Sequence, residues 1–225
     1  MKKIMFNDKY SLTQAVLDGR KTMTRRAFYI PDKLAMEYFI DTDKLVICET
    51  QHNEHIIEWR DNNDNVRMTF RPKYEVGEVV AIAQSYKDLG YDSDSLDRHP
   101  KDLSVRGLMK DSAGWNNKMF VKPYACKHHI KITNVKVERL QDISEEDCEK
   151  EGIQYLGLEY EHYGDPMYSF EGFDTYYTCA KDAFSRLIDK LSGKGTWKSN
   201  PFVWVYKFKI VDNILELRDE KLRFI

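Results

Sequence analysis

The chain has 225 residues, enough for one large domain or two small ones with a substantial apolar core. Its formal net charge of -2 excludes attraction of nucleic acid by the molecule as a whole, so polyanion binding would need a local basic patch. No apolar run approaches the roughly 20 residues of a membrane-spanning helix, and charge interrupts the amino end too early for a secretory signal.

The first half of the chain predicts one helix and one buried strand. A helix is expected over residues 12–18, with Ser11 as its cap and Gly19 as a left-handed stop. The apolar residues 76–83 predict the buried strand. Two insertions are predicted, one before this strand near residues 28–72 and one after it near residues 87–118. The first carries short strand-like pieces joined by turn residues, and the second is polar and rich in turn residues.

Short strand-like pieces lie within the first of these insertions. They occupy residues 45–48 and 55–59, and the turn-forming residues 61–65 follow them. The insertion is therefore predicted to be partly β-structured.

The second half predicts two strands and two helices. Residues 129–140 alternate with one slip, which a bulge near Thr133 and Asn134 would explain. The two helices are expected to begin after Ser144 and to cover residues 178–191, and Gly152 and Gly193 follow them as stops. The last strand is expected over residues 202–210.

Several strands, a few short helices and no βαβ alternation predict an α+β protein. We expect a small β-barrel with attached short helices and the two insertions, as a single domain over residues 1–211. Residues 212–225 are charged and amphipathic and are assigned to a C-terminal tail. A doubly wound sheet and a helix bundle are both disfavoured.

Four widely separated cysteines without a CxxC pair indicate reduced thiols, namely Cys48, Cys126, Cys148 and Cys179. Cys126 with His128 and His129 resembles part of a metal site, but a fourth ligand at a recognisable spacing is missing. A buried thiol beside strand histidines is the simpler interpretation. We therefore predict a cytoplasmic protein with no metal, no cofactor and no membrane association.

A basic cluster follows the first helix, and it is the first candidate for function. Threonine hydroxyls lie among its cations, in the order Arg20, Lys21, Thr22, Thr24, Arg25 and Arg26. Such a cluster is commonly a solvated charge run. Alternatively, neighbouring positive charges and partial burial lower the pKa of a lysine, and Lys21 could then activate the Thr24 hydroxyl. Both can enter one pocket only if Lys21 lies on the turn and Thr24 at the start of the next strand.

Glu151 is the second candidate, because it lies at the carboxyl end of the helix that begins after Ser144. The negative end of the helix dipole disfavours a carboxylate there. Glu151 therefore either faces water or is favoured in its protonated form, which suits an acid–base role.

The last strand carries an aromatic face with Phe202, Trp204, Tyr206 and Phe208. A stripe of this kind usually belongs to a core. A platform on which bases stack would require at least one exposed ring beside cations, and Trp204 is the candidate.

The cluster also carries a resemblance to the ASCH family, whose signature is GxKxxExR. The chain matches it with Gly19, Lys21 and Arg26, and has Thr24 where many members carry Glu. Further similar blocks follow in the same order as in phage- and prophage-type members, at residues 74–80, 137–153 and 197–204. The resemblance implies a PUA-like barrel that binds RNA or a modified nucleoside in a cleft.

One ASCH branch, the bacterial N4-acetylcytidine amidohydrolases, carries a similar GRKTxTxR segment. By that similarity Thr24 would be the nucleophile, Lys21 its base and Glu151 an acid–base group. The amidohydrolases are much shorter and lack the two insertions.

The resemblance favours a binding module for RNA or a nucleoside; an amidohydrolase is the alternative, and a ribonuclease is a weaker one. The ligand-binding candidates are Arg20, Arg25, Arg26, Gln84, Tyr86 and Trp204. Gln84 lies where many ASCH proteins have a charged residue, and its amide can still read a base edge.

Overall fold

The structure is a computed structural model that describes residues 1–28, 44–50, 54–95, 107–157, 165–172 and 174–211. The predicted tail and parts of both predicted insertions lie outside these residues. The described strands are β1 (Lys3–Ile4), β2 (Met23–Ala27), β3 (Lys44–Glu49), β4 (His55–Arg60), β5 (Val66–Phe70), β6 (Val79–Ile82), β7 (His129–Arg139), β8 (Gln154–Tyr155), β9 (Tyr168–Ser169) and β10 (Phe202–Val211). The described α-helices are α1 (Leu12–Leu17), α2 (Glu145–Lys150), α3 (Ala180–Ser192) and α4 (Thr196–Ser199).

Five strands form the central sheet in the order β1-β6-β7-β10-β2. β1 and β6 are parallel, whereas the other neighbours are antiparallel. The long strands β7 and β10 stay paired except for one register shift between Lys207 and Phe208, which leaves Thr133 without an opposite residue. This shift confirms the bulge predicted near Thr133, and bulges bend the strand that carries them.

The two edges of the central sheet approach each other. Arg26 of β2 donates Nη2 to the carbonyl oxygen of Met5, which directly follows β1, over 2.6 Å. This contact is made by a side chain, and no backbone ladder joins β1 to β2 among the described strands. The α+β class is therefore found as predicted, but the described sheet is strongly curled rather than closed into a barrel.

The first insertion contributes a second sheet, in the order β3-β4-β5. Its central strand buries Ile57 and Trp59, and Ile57 belongs to the main core. The turn after β4 is held by Asp61, whose side chain accepts from the backbone N–H groups of Asn63 and Asn65. The strand-like pieces and the turn predicted here are both present.

Helix α2 begins as the sequence predicts. Ser144 accepts a hydrogen bond from the backbone N–H of Asp147 over 3.1 Å, and Gly152 follows the helix with a φ of +106°. Helix α3 ends at Gly193 and buries one face against the core, with Ala180, Ala183, Phe184, Leu187 and Ile188.

Two predictions of local structure were wrong in detail. Ser11 makes no side-chain cap on α1, because it ends the preceding 3-10 turn with a left-handed φ of 47°. The buried strand predicted over residues 76–83 is shorter, since Gly77 lies in a turn with a φ of +84° and pairs its N–H with Ile132 before β6 begins. Across the described ranges, no helix has the length and apolar character needed to cross a bilayer.

Candidate functional site

The segment between α1 and β2 is fastened to the end of α2. The backbone N–H of Lys21 donates to Ala15 within α1, and the N–H of Thr22 donates to the carbonyl oxygen of Lys150 at 3.0 Å. Lys21 thus lies on the connection and Thr24 is the second residue of β2, the arrangement that one shared pocket requires. The link to Lys150 brings the basic cluster beside Glu151.

Lys21 and Glu151 form a buried pair. The Lys21 ammonium donates to Glu151 Oε2 over 2.6 Å and to the Glu151 carbonyl oxygen over 2.7 Å. Their side chains are 3% and 5% exposed, so water screens this pair very little. Of the two alternatives for Glu151, the one in which it faces water is therefore wrong.

Burial is the largest influence on the Lys21 amine, and it lowers the pKa of that group. Glu151 opposes this effect, while the guanidinium groups of Arg26 and Arg25 lower the pKa further. The pKa of Lys21 is lowered, as the sequence predicts, but the main cause is desolvation of the amine rather than the neighbouring cations. A lysine with a lowered pKa more readily supplies a neutral amine as a base.

Arg25 lies under this pair as a buried clamp. It donates Nη1 to Glu151 Oε1 at 3.1 Å, Nε and Nη2 to Glu138 Oε1 at 2.9 and 2.7 Å, and Nη2 to Asp147 at 3.1 Å. Although Arg25 borders the cavity described below, its side chain is 0% exposed. The expected contact between Arg25 and a ligand stays a prediction. The Arg25 guanidinium is committed to carboxylates and positions Glu151.

Glu138 and Asp147 are hydrogen-bond partners of Arg25 that were not predicted from the sequence. Burial works against ionisation of Asp147, but hydrogen bonds from Arg25 and Lys150 outweigh it and lower the pKa of this carboxyl. Both residues lie inside the block 137–153 that resembles the ASCH family. No local sequence pattern links them to Arg25, because they lie 113 and 122 positions away from it along the chain.

A cavity of about 660 Å³ opens above the Lys21–Glu151 pair. We call it the first cavity. Lys21, Thr24, Glu151 and Arg26 are among its polar lining residues. Apolar side chains line it as well, namely Leu12, Phe184, Leu187, Ile188 and Leu191. A lining that combines apolar and polar side chains suits an organic ligand with a reactive polar group.

Thr24 supplies the hydroxyl of the first cavity. It is 5% exposed and lies opposite Tyr206 on β10. Within the described ranges the Thr24 hydroxyl has no side-chain hydrogen bond. The hydroxyl is thus free to engage a ligand inside the cavity.

A second cavity, of about 590 Å³, adjoins the first. The two cavities share Met5, Arg26 and Ala27 as lining residues. Trp204 lines the second cavity but is only 6% exposed, so most of its ring belongs to the core, as the usual reading of the aromatic stripe predicts.

Three predicted ligand-binding residues lie away from both cavities. Arg20 is exposed and pairs with Asp18 at 3.2 Å. Tyr86 follows β6 and is buried in a separate apolar cluster. Gln84 also lies in the segment that follows β6. The Gln84 Oε1 atom is buried and accepts no hydrogen bond in the described part of the chain. Ligand contacts by these residues would require another site.

Among the described residues, the thiols and histidines show no cluster of metal ligands. All four cysteines are free thiols, and the described residues contain no group of three His, Cys, Asp or Glu side chains that could hold a metal ion. Burial raises the pKa of the Cys148 thiol to about 12, which makes it a packing residue rather than a nucleophile.

Comparison with known proteins gives no relative. No family model, curated protein or solved structure matches the chain. The function must therefore be argued from the geometry of the first cavity.

Proposed function

We propose that this protein is an amidohydrolase that removes an acyl group from the exocyclic amine of a cytidine-type nucleoside bound in the first cavity. The observation that carries the proposal is the 2.6 Å contact between the buried Lys21 amine and Glu151, in a cavity that Thr24 also lines. A site that only binds a ligand has no need to bury a lysine and a carboxylate together, because desolvating both charges costs free energy. An acid–base site uses such a pair directly.

The first half of the reaction transfers the acyl group to Thr24. The neutral Lys21 amine accepts the proton of the Thr24 hydroxyl while Oγ1 forms a bond to the amide carbon. The bond from that carbon to the nucleoside nitrogen breaks, and the Lys21 ammonium gives the proton that it took from Thr24 to the leaving amine. The products of this half are the free nucleoside, an ester on Thr24 and a neutral Lys21 amine, and Glu151 stays a carboxylate.

The second half returns the site to its starting state. The Glu151 carboxylate accepts a proton from water as the water oxygen bonds to the ester carbon. The Thr24 oxygen leaves and takes its proton from Glu151, which becomes a carboxylate again. The sum is one water consumed, with one carboxylic acid and one free amine released.

Membership of the ASCH family and a PUA-like barrel form part of the same proposal. The support is the GxKxxxxR segment around Lys21 together with the curled sheet, whose edges meet through Arg26 and Met5. On this view the two insertions elaborate one domain, and the second sheet flanks the cleft.

The proposal is tested with purified protein and N4-acetylcytidine. We expect release of cytidine by the unchanged protein, and a loss of about 100-fold or more with Thr24→Ala, because the nucleophile is removed. Thr24→Ser keeps a hydroxyl and should retain measurable turnover. Thr69→Ala, an exposed strand threonine on β5, is the matched control and should behave like the unchanged protein. Absence of cytidine release by the unchanged protein would exclude this substrate.

A further inference from the structure

The second cavity differs in charge from the chain as a whole. Four cations and no carboxylate are among its described lining residues, although the whole chain has a net charge of -2. The cations are Lys3, Arg26, Arg71 and Lys73. The aromatic residues of the lining are Phe28, Tyr74, Trp204 and Tyr206. A cavity that combines rings with cations suits a ligand that has an apolar or flat body and a negative charge.

The four cations differ in what they can still contact. Lys3 is committed, because its amine donates to three backbone carbonyl oxygens, two of them at 3.0 and 2.6 Å. Among the described contacts, Arg71 has an exposed pair with Glu54 at 3.3 Å, and exposed pairs of this kind contribute little. Lys73 lies over the Tyr74 ring at 5.4 Å, and no described carboxylate pairs with it. Arg71 and Lys73 are therefore the groups that can offer charge to a ligand.

The backbone beside these two cations is anchored to the rest of the cavity. The backbone N–H of Lys73 donates to the Tyr206 hydroxyl at 3.0 Å, and the Tyr74 hydroxyl donates to the Lys3 carbonyl oxygen at 2.9 Å. Two cations on an anchored segment lose less entropy on binding than two on a free loop. The cationic side of the cavity is thus built into the fold.

The proposed nucleophile lies on the same face of the sheet as two aromatic residues of the second cavity. Thr24 on β2 is paired with Tyr206 on β10, and Arg26 is paired with Trp204. Side chains that are directly opposite in an antiparallel pair project to the same face. Tyr206 and Trp204 line the second cavity, and Arg26 lines both cavities. A group bonded to the carbon that Thr24 attacks therefore lies close to the boundary of the second cavity.

An acylated nucleoside extends in two directions from the carbon that Thr24 attacks. The nucleoside is on the nitrogen side of the amide bond, and the acyl chain is on the other side. The proposed function places the nucleoside in the first cavity, which leaves the adjoining second cavity for the acyl chain. The sugar of cytidine is attached across the ring from the exocyclic amine, so the sugar and any phosphate on it point away from the acyl chain.

We infer that the acyl chain of the substrate enters the second cavity and ends in a carboxylate, which Arg71 and Lys73 bind. The substrate is then a monoamide of a dicarboxylic acid, and a cavity of about 590 Å³ admits an aromatic ring as well as a short chain. Water is still the one co-reactant: the bond between the acyl carbon and the nucleoside nitrogen breaks, and the products are a dicarboxylic acid and the free amine. This inference rests on the proposed function and adds the class of acyl group that the site accepts.

Two synthetic substrates that differ in one carboxylate test the inference. N4-(4-carboxybenzoyl)cytidine carries the carboxylate, and N4-benzoylcytidine has the same ring without it. The unchanged protein should show a kcat/KM about tenfold higher for the carboxylated compound, because hydrogen bonds between charged groups are stronger than neutral ones. Arg71→Ala with Lys73→Ala should abolish this preference. High salt should reduce it, since both cations are exposed.

A matched control removes the same charge elsewhere. Lys87→Ala with Lys198→Ala changes two exposed lysines that line neither cavity, and it should keep the preference for the carboxylated compound. Thermal unfolding of each variant shows that the fold is kept. Equal losses of the preference in the two double variants would overturn the inference.

Binding is measured separately by calorimetry on the full chain carrying Thr24→Ala, so that the result does not depend on turnover. The carboxylated compound should bind about tenfold more tightly than the uncharged one, and the changes at Arg71 and Lys73 should remove the difference. Equal affinities for the two compounds would contradict the inference.

A third compound separates a carboxylate on the acyl chain from a phosphate on the sugar. N4-benzoylcytidine 5′-monophosphate has its charge at the opposite end of the molecule, so a loss of affinity equal to that of the carboxylated compound in the Arg71 and Lys73 variant would also overturn the inference. If neither benzoyl compound is hydrolysed but the preference in binding is present, the amidohydrolase proposal fails and the carboxylate site stands. If both are hydrolysed with equal kcat/KM, the carboxylate site fails and the amidohydrolase proposal stands.

Discussion

Lys21 is the residue on which the proposed reaction depends, and its amine predicts how the rate changes with pH. Burial lowers the pKa of its amine below the ordinary value of 10.5. Because only the neutral amine is a base, kcat/KM for N4-acetylcytidine should rise with pH through that lowered pKa. Lys21→Arg should abolish turnover at every pH, since a guanidinium stays charged. A pH–rate profile that is flat in this range would contradict a role for Lys21 as a base.

The same group has a consequence for stability, with a definite sign. The unfolded chain keeps the Lys21 proton up to the ordinary value of 10.5, whereas the folded chain releases it at lower pH. Between the two, the unfolded state binds more protons, so the folded state gains stability as pH rises. The gain in folding stability that comes from Lys21 is complete above its ordinary pKa of 10.5. It is lost as pH falls through the lowered pKa of the folded state.

At the scale of elements, the turn after α2 fixes the site. Gly152 has a φ of +106°, and a Cβ built there would come 3.0 Å from Leu12 and 3.8 Å from the Lys21 side chain. Gly152→Ala should therefore destabilise the fold by about 1–3 kcal/mol and reduce turnover, because a strained backbone lies next to Glu151.

Chemical denaturation measures the loss of stability in Gly152→Ala, and cytidine release measures its loss of turnover. Gly157→Ala is a matched control, since Gly157 also has a positive φ of +73° but nothing lies within 4 Å of its Cβ position. Gly157→Ala should lose stability without a matching loss of turnover per folded molecule. A Gly152→Ala variant as stable as the unchanged protein would contradict this reading of the turn.

The elements show what a sequence can and cannot predict. Ser144, Gly152 and Gly193 act through short-range backbone geometry, so the bounds of α2 and the end of α3 could be predicted from them. Ser11 has the same local pattern, but the preceding 3-10 turn forces it into a left-handed conformation and removes its cap. The Arg25 cluster joins residues more than 100 positions apart, with Arg25 and Glu138 separated by 113. No periodicity in the sequence reports a contact of that kind.

At the scale of the whole molecule, burial divides the four thiols into two pairs. Cys126 and Cys148 are buried, and burial raises the pKa of both thiols, that of Cys148 to about 12. Cys48 and Cys179 are half-buried, and exposure rather than pKa sets Cys48 apart, because burial and Glu58 raise the pKa of its thiol as well. We expect a thiol reagent to modify Cys48 and Cys179 in the folded protein and all four only after unfolding. Mass spectrometry of labelled peptides identifies the modified positions, and rapid labelling of Cys148 in the folded state would contradict the packing around α2.

The candidate site is also a property of the whole fold. A resemblance groups Lys21, Thr24 and Glu151 in the sequence, and the curled sheet and α2 place all three on one cavity. Gln84 and Tyr86 were also predicted to bind the ligand, yet neither residue lines the first or the second cavity. Order along the chain does not report which side chains share a cavity, because that depends on how the strands pair.

The most direct test of the central claim is whether Lys21 and Glu151 act as one unit. We would measure kcat/KM for N4-acetylcytidine with Lys21→Met, Glu151→Gln and the double variant, and follow thermal unfolding to confirm that each is folded. Each single change should cost about 100-fold or more, and the double variant should cost no more than the worse single one, since either change disables the pair. Losses that multiply in the double variant, or a single variant as active as the unchanged protein, would contradict the claim.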